Sequence, residues 1–160
     1  MDKNKRRRSI IAILIVVIIV TTSFSIFFAY QKFKPVPAYE FKTSVNHPQE
    51  ISDLIRNGTV VLYFTQDSCP PCTNMTPKIA DLQSQFNSSG VTIITCNYTD
   101  TTQPQYDITR NFGRIYGVSV TPTVLVIRND GAVATYIGED INTVKSAIEE
   151  AQHGKSIFPF

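Results

Sequence analysis

Two cysteines bracket a proline pair in Ser68-Cys69-Pro70-Pro71-Cys72. Two intervening residues are enough to close a small disulfide ring when such a motif occupies the first turn of a helix. The run before it, Thr59 to Thr65 (TVVLYFT), is β-branched and aromatic and too short for a stable helix. After it, Met75, Ile79, Leu82 and Phe86 recur at helical spacing up to the breaker Asn87-Ser88-Ser89-Gly90. The order strand, motif, helix puts Cys69 at a helix N-terminus, where unpaired N–H groups and the helix dipole favour a thiolate. Cys69 is therefore the expected nucleophile and Cys72, one turn inward, the expected resolving thiol of a mixed-disulfide cycle. Pro70 and Pro71 suit a first helical turn, yet each removes an N–H donor that could hold the thiolate.

Other uses of two such cysteines stay open at this point. A Cys-x-x-Cys pair can be half of a zinc site, but Cys96, His47 and His153 supply no second motif at ligand spacing, so no metal is expected. The pair can also form a permanent structural disulfide. Cys96, in an apolar run, reads as a small buried side chain rather than a third redox thiol. Four Asn-x-Ser/Thr triplets, at Asn57, Asn74, Asn87 and Asn97, satisfy the glycosylation sequon, a pattern common by chance.

The surrounding elements predict an α/β domain. Ile51, Leu54 and Ile55 mark a short amphipathic helix between Pro48 and Asn57-Gly58. Thr59 to Thr65 is apolar almost throughout, as a central strand covered on both faces would be, and Val91 to Tyr98 is a second buried-strand candidate. Ile108, Phe112 and Ile115 give a helix before Gly117. Thr123 to Arg128, the turn Asn129-Asp130-Gly131 and Ala132 to Ile137 read as a β-hairpin. Ile141, Val144, Ala147, Ile148 and Ala151 line one face of a last helix, Ile141 to Gln152. A parallel βαβ unit followed by an antiparallel pair and a closing helix is the expected topology.

The first nine residues hold five basic side chains and one acid, a net +4 that leaves −2 for the rest of a chain whose formal charge is +2. The domain is thus not a basic nucleic-acid binder. Residues 10–30 contain no charge, and an apolar helix of about 20 residues, roughly 30 Å long, matches the hydrocarbon core of a bilayer. A cleavable signal peptide would have a shorter apolar stretch and a small-residue cleavage site. The expected organisation is a basic cytoplasmic tail (1–9), a transmembrane helix (10–30), a proline-bearing stalk (31–47), a folded domain (48–153) and a C-terminal tail (154–160). The positive-inside rule places the N-terminus in the cytoplasm and the domain outside it, where disulfides persist. Tyr39, Phe41, Phe158 and Phe160, in the flanking segments, read as packing or membrane-proximal contacts rather than a substrate groove.

Residues 48–153 resemble the thioredoxin-fold oxidoreductases. The likeness rests on C69-P-P-C72, on Pro77 five residues later where thioredoxins carry a helix-kinking proline, on Val120-Thr121-Pro122-Thr123 as a cis-proline loop, and on the following VLVIRNDG (124–131). It implies a thioredoxin fold, a central mixed sheet flanked by helices, here preceded by the single membrane helix. It implies a cis Pro122 facing the disulfide and a Thr121 that pairs with substrate backbone. Departures stand beside it: Tyr63 where thioredoxins bury an aspartate, Thr95 in place of a lysine on the facing strand, and Asp67-Ser68 where a tryptophan precedes the motif. Water or Asp67 is left to carry the proton. Thr before the proline is similar to outward-facing disulfide isomerases and to reductases serving cytochrome c maturation.

The expected function is an anchored thiol:disulfide oxidoreductase with Cys69 and Cys72 as the catalytic, redox-active pair and Thr121 and Pro122 as substrate-binding residues. It would reduce or isomerise disulfides of proteins outside the cytoplasm, without cofactor or metal. A reductase so placed needs an electron donor, such as a membrane thiol carrier. The competing reading is a thioredoxin-fold binding module whose Cys69-Cys72 disulfide serves stability alone.

Overall fold

The structure, a computed structural model, describes residues 20–22, 39–42, 46–102 and 104–153. The chain divides into two units, Met1–Val36 and Pro37–Phe160. The tail 1–9, the span 10–30 except 20–22, most of the stalk and the tail 154–160 with Phe158 and Phe160 lie outside the described residues. Among the described residues no helix is long and apolar enough to cross a membrane.

In the second unit the elements follow in the order α1 (Gln49–Ile55), β1 (Thr59–Thr65), α2 (Pro70–Phe86), β2 (Val91–Asn97), α3 (Gln105–Ile115), β3 (Thr123–Ile127), β4 (Val133–Ile137) and α4 (Ile141–His153). The four strands form one sheet in the order β2-β1-β3-β4. β1 runs parallel to β2 and antiparallel to β3, and β3 runs antiparallel to β4. This is the α/β thioredoxin fold, with a mixed sheet between helices.

Alternation along the strands sorts side chains to two faces. Val61, Tyr63, Val124, Val126 and Ala134 meet Met75, Ile79 and Leu82 of α2 and Val144, Ala147 and Ile148 of α4. Val60, Leu62, Phe64, Cys96, Leu125 and Ile127 meet Ile51 of α1 and Phe112 of α3. Every residue of β1 and β3 is buried, as strands covered on both faces require.

β2 departs from the buried strand that its composition suggests. Of its seven residues only Cys96 is buried, because β2 is an edge strand and helices cover its faces only in part. Residues 39–42, in the segment read as stalk, also pack on the domain. Lys42 exchanges backbone hydrogen bonds with Val133 of β4, at 2.9 and 3.0 Å, and Tyr39 and Phe41 lie against the α2/α4 core. His47 bridges at 2.8 Å to the Tyr116 hydroxyl and at 2.8 Å to the Gly131 carbonyl. A carbonyl only accepts, so Nε2 carries the proton and, in the neutral ring, Nδ1 accepts from Tyr116.

Where β1 and β2 begin, Gly58 has φ +156° and a Cβ on it would lie 1.9 Å from the Gly90 carbonyl oxygen. Two backbones cross there, and Thr59 N donates to that same oxygen at 3.0 Å. Only glycine fits this crossing, which helps fix the parallel register Thr59 opposite Val91.

Candidate active site

Cys69 and Cys72 are joined in a disulfide at the head of α2, with Cα atoms 5.2 Å apart. Cys69 is the N-cap of the helix, in an extended conformation, and Pro70 and Pro71 fill its first two positions. With those two donors missing, the first N–H available in the helix is that of Cys72, and it points at Cys69 Sγ from 3.2 Å. The sequence suggested that the prolines strip donors from the thiolate; the fold keeps the one donor with the right geometry. Thr73 reinforces the turn, its N–H donating to the Cys69 carbonyl at 3.1 Å.

The two sulfurs are unequally placed. Cys69 is 6% exposed and Cys72 1% exposed, so the outer sulfur is the one a substrate can reach. Cys69 Sγ lies 3.6 Å from the Thr121 carbonyl oxygen. In the disulfide this is a contact without a proton; after reduction the Cys69 thiol can donate along it. The Thr121-Pro122 peptide bond is cis, and Pro122 is buried beside the pair. The Thr123 hydroxyl donates to the Val120 carbonyl at 2.7 Å, and Gly138 N donates to the Pro122 carbonyl at 3.3 Å, which holds the loop on both sides. Val120, 47% exposed, and Ile137, 62% exposed, give the rim of this region an apolar surface.

Beneath the motif, Tyr63 is fully buried, and its hydroxyl lies 3.1 Å from both the Cys72 carbonyl and the Thr76 hydroxyl. Thr76 donates to the same carbonyl at 2.8 Å. Thus the position where the resemblance leads one to expect a carboxylate holds a neutral phenol that braces the backbone of Cys72. Asp67 is exposed two residues before Cys69; its Oδ1 accepts from the Asn97 amide at 2.9 Å, while its own N–H donates to Thr99 Oγ1. Thr95 is exposed on β2 and opposite Tyr63 in register. Cys96 is buried and away from the pair, and burial pushes its thiol up to about 12 against a small opposing pull from the Thr109 hydroxyl. Asn74, one of the sequon residues, sits on exposed α2 surface and donates to Glu139.

Sequence reasoning missed a cleft of about 690 Å³ that starts at Thr121 and runs between the 117–121 loop and α3. Gln66 and Tyr98 form part of its wall, and Arg110 and Arg114 of α3 face it. The signal was there in the i, i+4 spacing of two arginines on one helix face, but nothing local tied that face to the cis-proline loop. Tyr98 reaches into the cleft over Gly113, where a Cβ would lie 2.0 Å from its hydroxyl.

Solved structures similar to the chain include thiol-redox proteins. Fasciola hepatica thioredoxin matches at TM-score 0.53 and 18% identity, over 64% of this chain and 89% of its own. A structure concerning the thiol-resolving mechanism of yeast mitochondrial 1-Cys peroxiredoxin matches at TM-score 0.52 and 19% identity, over 68% and 93%. A putative thiol:disulfide interchange protein DsbE from Chlorobium tepidum matches at 0.51 and 21%, over 64% and 84%. At such identities the likeness is one of fold. No curated protein matches the chain significantly. The family model described as AhpC/TSA family matches residues 33–136, from the chain leading into the domain through the disulfide and the cis-proline loop to the end of the hairpin. Since that match spans well over half of the sequence, the chain belongs to the AhpC/TSA family and is a thioredoxin-like thiol-disulfide oxidoreductase.

Proposed function

We propose that this chain is a membrane-anchored enzyme that reduces or isomerises disulfides of proteins outside the cytoplasm, with Cys69 as nucleophile and Cys72 as resolving thiol. The observation that carries the reading is the asymmetry of the pair: Cys69 caps the helix, accepts the Cys72 N–H and touches the Thr121 carbonyl, while Cys72 is sealed beneath it. The Cys69 thiolate attacks one sulfur of a substrate disulfide; a bond forms between them, the substrate S–S bond breaks, and one substrate thiolate leaves. Cys72 then loses its proton and attacks Cys69 Sγ, releasing the second substrate thiolate and closing the Cys69-Cys72 disulfide. Two electrons pass to the substrate, and a thiol donor, which we assign to a membrane thiol carrier, returns them. Thr121 lends its backbone to the substrate strand and Pro122 shapes that edge. The uncharged stretch 10–30 behind a cluster of basic residues supports the anchor and the outward placement.

The test is the reduction potential of the full chain in detergent, equilibrated against glutathione and dithiothreitol buffers and read by thiol alkylation. A value near that of thioredoxin, about −270 mV, fits a reductase, and one near about −180 mV an isomerase. A Cys72→Ser variant should accumulate mixed disulfides through Cys69. A potential below about −300 mV, with no exchange with a model disulfide, would overturn the reading in favour of a structural bridge.

A further inference from the structure

We propose that the cleft between α3 and the 117–121 loop is a docking channel for an acidic stretch of the protein substrate, next to the cysteine under attack. The inference rests on the oxidoreductase reading above and adds a specificity to it. Three observations support it.

The first is continuity. The cleft includes Thr121, whose carbonyl oxygen is 3.6 Å from Cys69 Sγ, so a chain paired along the cis-proline edge has the cleft as its next space.

The second is charge. Arg110 and Arg114 both face the cleft, and both are exposed. Neither forms an ion pair: among the described residues the salt bridges are Arg56–Asp53 and Arg128–Asp130. Arg110 Nη1 donates to the Tyr106 hydroxyl at 2.9 Å, its guanidinium 5.3 Å from that ring's centre, and Arg114 Nη2 donates to Asn111 Oδ1 at 3.0 Å. One neutral partner from the same helix steadies each guanidinium and leaves the rest of its donor edge free for a carboxylate. Asp107, one turn earlier on α3, and Asp67, beside Gln66, do not line the cleft.

The third is shape. A glycine inside a helix weakens it, yet Gly113 sits in the last turn of α3 and its missing Cβ is the space that the Tyr98 hydroxyl occupies. The aromatic wall of the cleft therefore exists at the expense of helix propensity. Together these features suit an extended segment carrying Glu or Asp. Two arginines do not supply the row of phosphate contacts that a nucleic acid needs.

The experiment compares disulfide reduction by the full chain in detergent on two peptides of one sequence, one with glutamates and one with lysines flanking the cystine, plus a neutral small disulfide. At low salt the acidic peptide should show about tenfold higher kcat/KM, and raising the salt should bring the ratio towards one. In an Arg110→Glu/Arg114→Glu variant the same ratio, read within that variant, should invert. A ratio near one in the wild-type protein, or a preference that survives charge reversal, overturns the docking channel. Failure to exchange with any disulfide, the neutral one included, overturns the oxidoreductase reading and the channel with it.

Discussion

Tyr63 stands six residues before Cys69, where thioredoxins bury an aspartate, and its side chain does a different job. Its ring belongs to the α2/α4 core, and its hydroxyl reaches the carbonyl of Cys72. Because Thr76 also donates to that carbonyl, Tyr63→Phe should cost only about 0.5–1.5 kcal/mol in urea unfolding of the oxidised protein. Tyr63→Asp should cost more, since it opens a void and buries a carboxylate. The opposite ranking would refute the bracing role. Cys96 was legible as a core side chain from its apolar neighbours; the Tyr63 hydroxyl's partners were not, because they depend on how α2 lies across β1. Burial raises the Cys96 thiol from its ordinary value near 9 to about 12. The neutral thiol is thus favoured by folding, and this contribution to stability is full below about pH 9 and lost as the pH rises towards 12. In native protein at pH 8.5, iodoacetamide should leave Cys96 unlabelled, whereas in urea labelling should be complete; equal rates in both would show that the site opens freely.

At the scale of elements, periodicity carried most of the fold. β1 and β3 announce themselves as apolar runs because both of their faces are covered, and the turn Asn129-Asp130-Gly131 marks the hairpin. β2 has nearly the same composition as a central strand, but its place at the sheet edge is decided by β3 pairing on the other side of β1, a non-local choice that no window of sequence contains. The single Lys42–Val133 bridge has no period at all to betray it. Helix α3 shows how packing overrides propensity. Ala is ordinarily favoured over Gly in a helix by about 1 kcal/mol. At Gly113 the added Cβ would press on the Tyr98 hydroxyl, so Gly113→Ala should instead destabilise by about 1–3 kcal/mol in urea titration. Adding Tyr98→Phe should recover part of that loss, and only part, because the ring carbon Cζ would still be 3.0 Å away. A stabilised Gly113→Ala protein would refute this packing.

For the whole molecule, the uneven charge is the feature that composition hides: a chain of formal charge +2 is a basic leader on an acidic remainder. If the anchor proposed above is right, a membrane-impermeant maleimide applied to intact cells after mild reduction should label Cys69, and the protein should stay with the membranes through an alkaline wash. Labelling only after permeabilisation would place the domain on the other side. The register of the sheet also gives the domain two poles. β1 ends at Thr65 just before the motif, and Thr123 of β3 lies at that same end, opposite Phe64. Val133, the partner of Lys42, pairs with Ile127, which is opposite Val60 at the start of β1, and the Gly131 carbonyl held by His47 is in the turn just beyond. Lys42 and His47 thus fasten to the domain at the pole remote from the sulfurs. A tether carried on the exposed Lys42 side chain therefore holds the handle and not the blade, and leaves the reactive pole free to meet a folded client head-on.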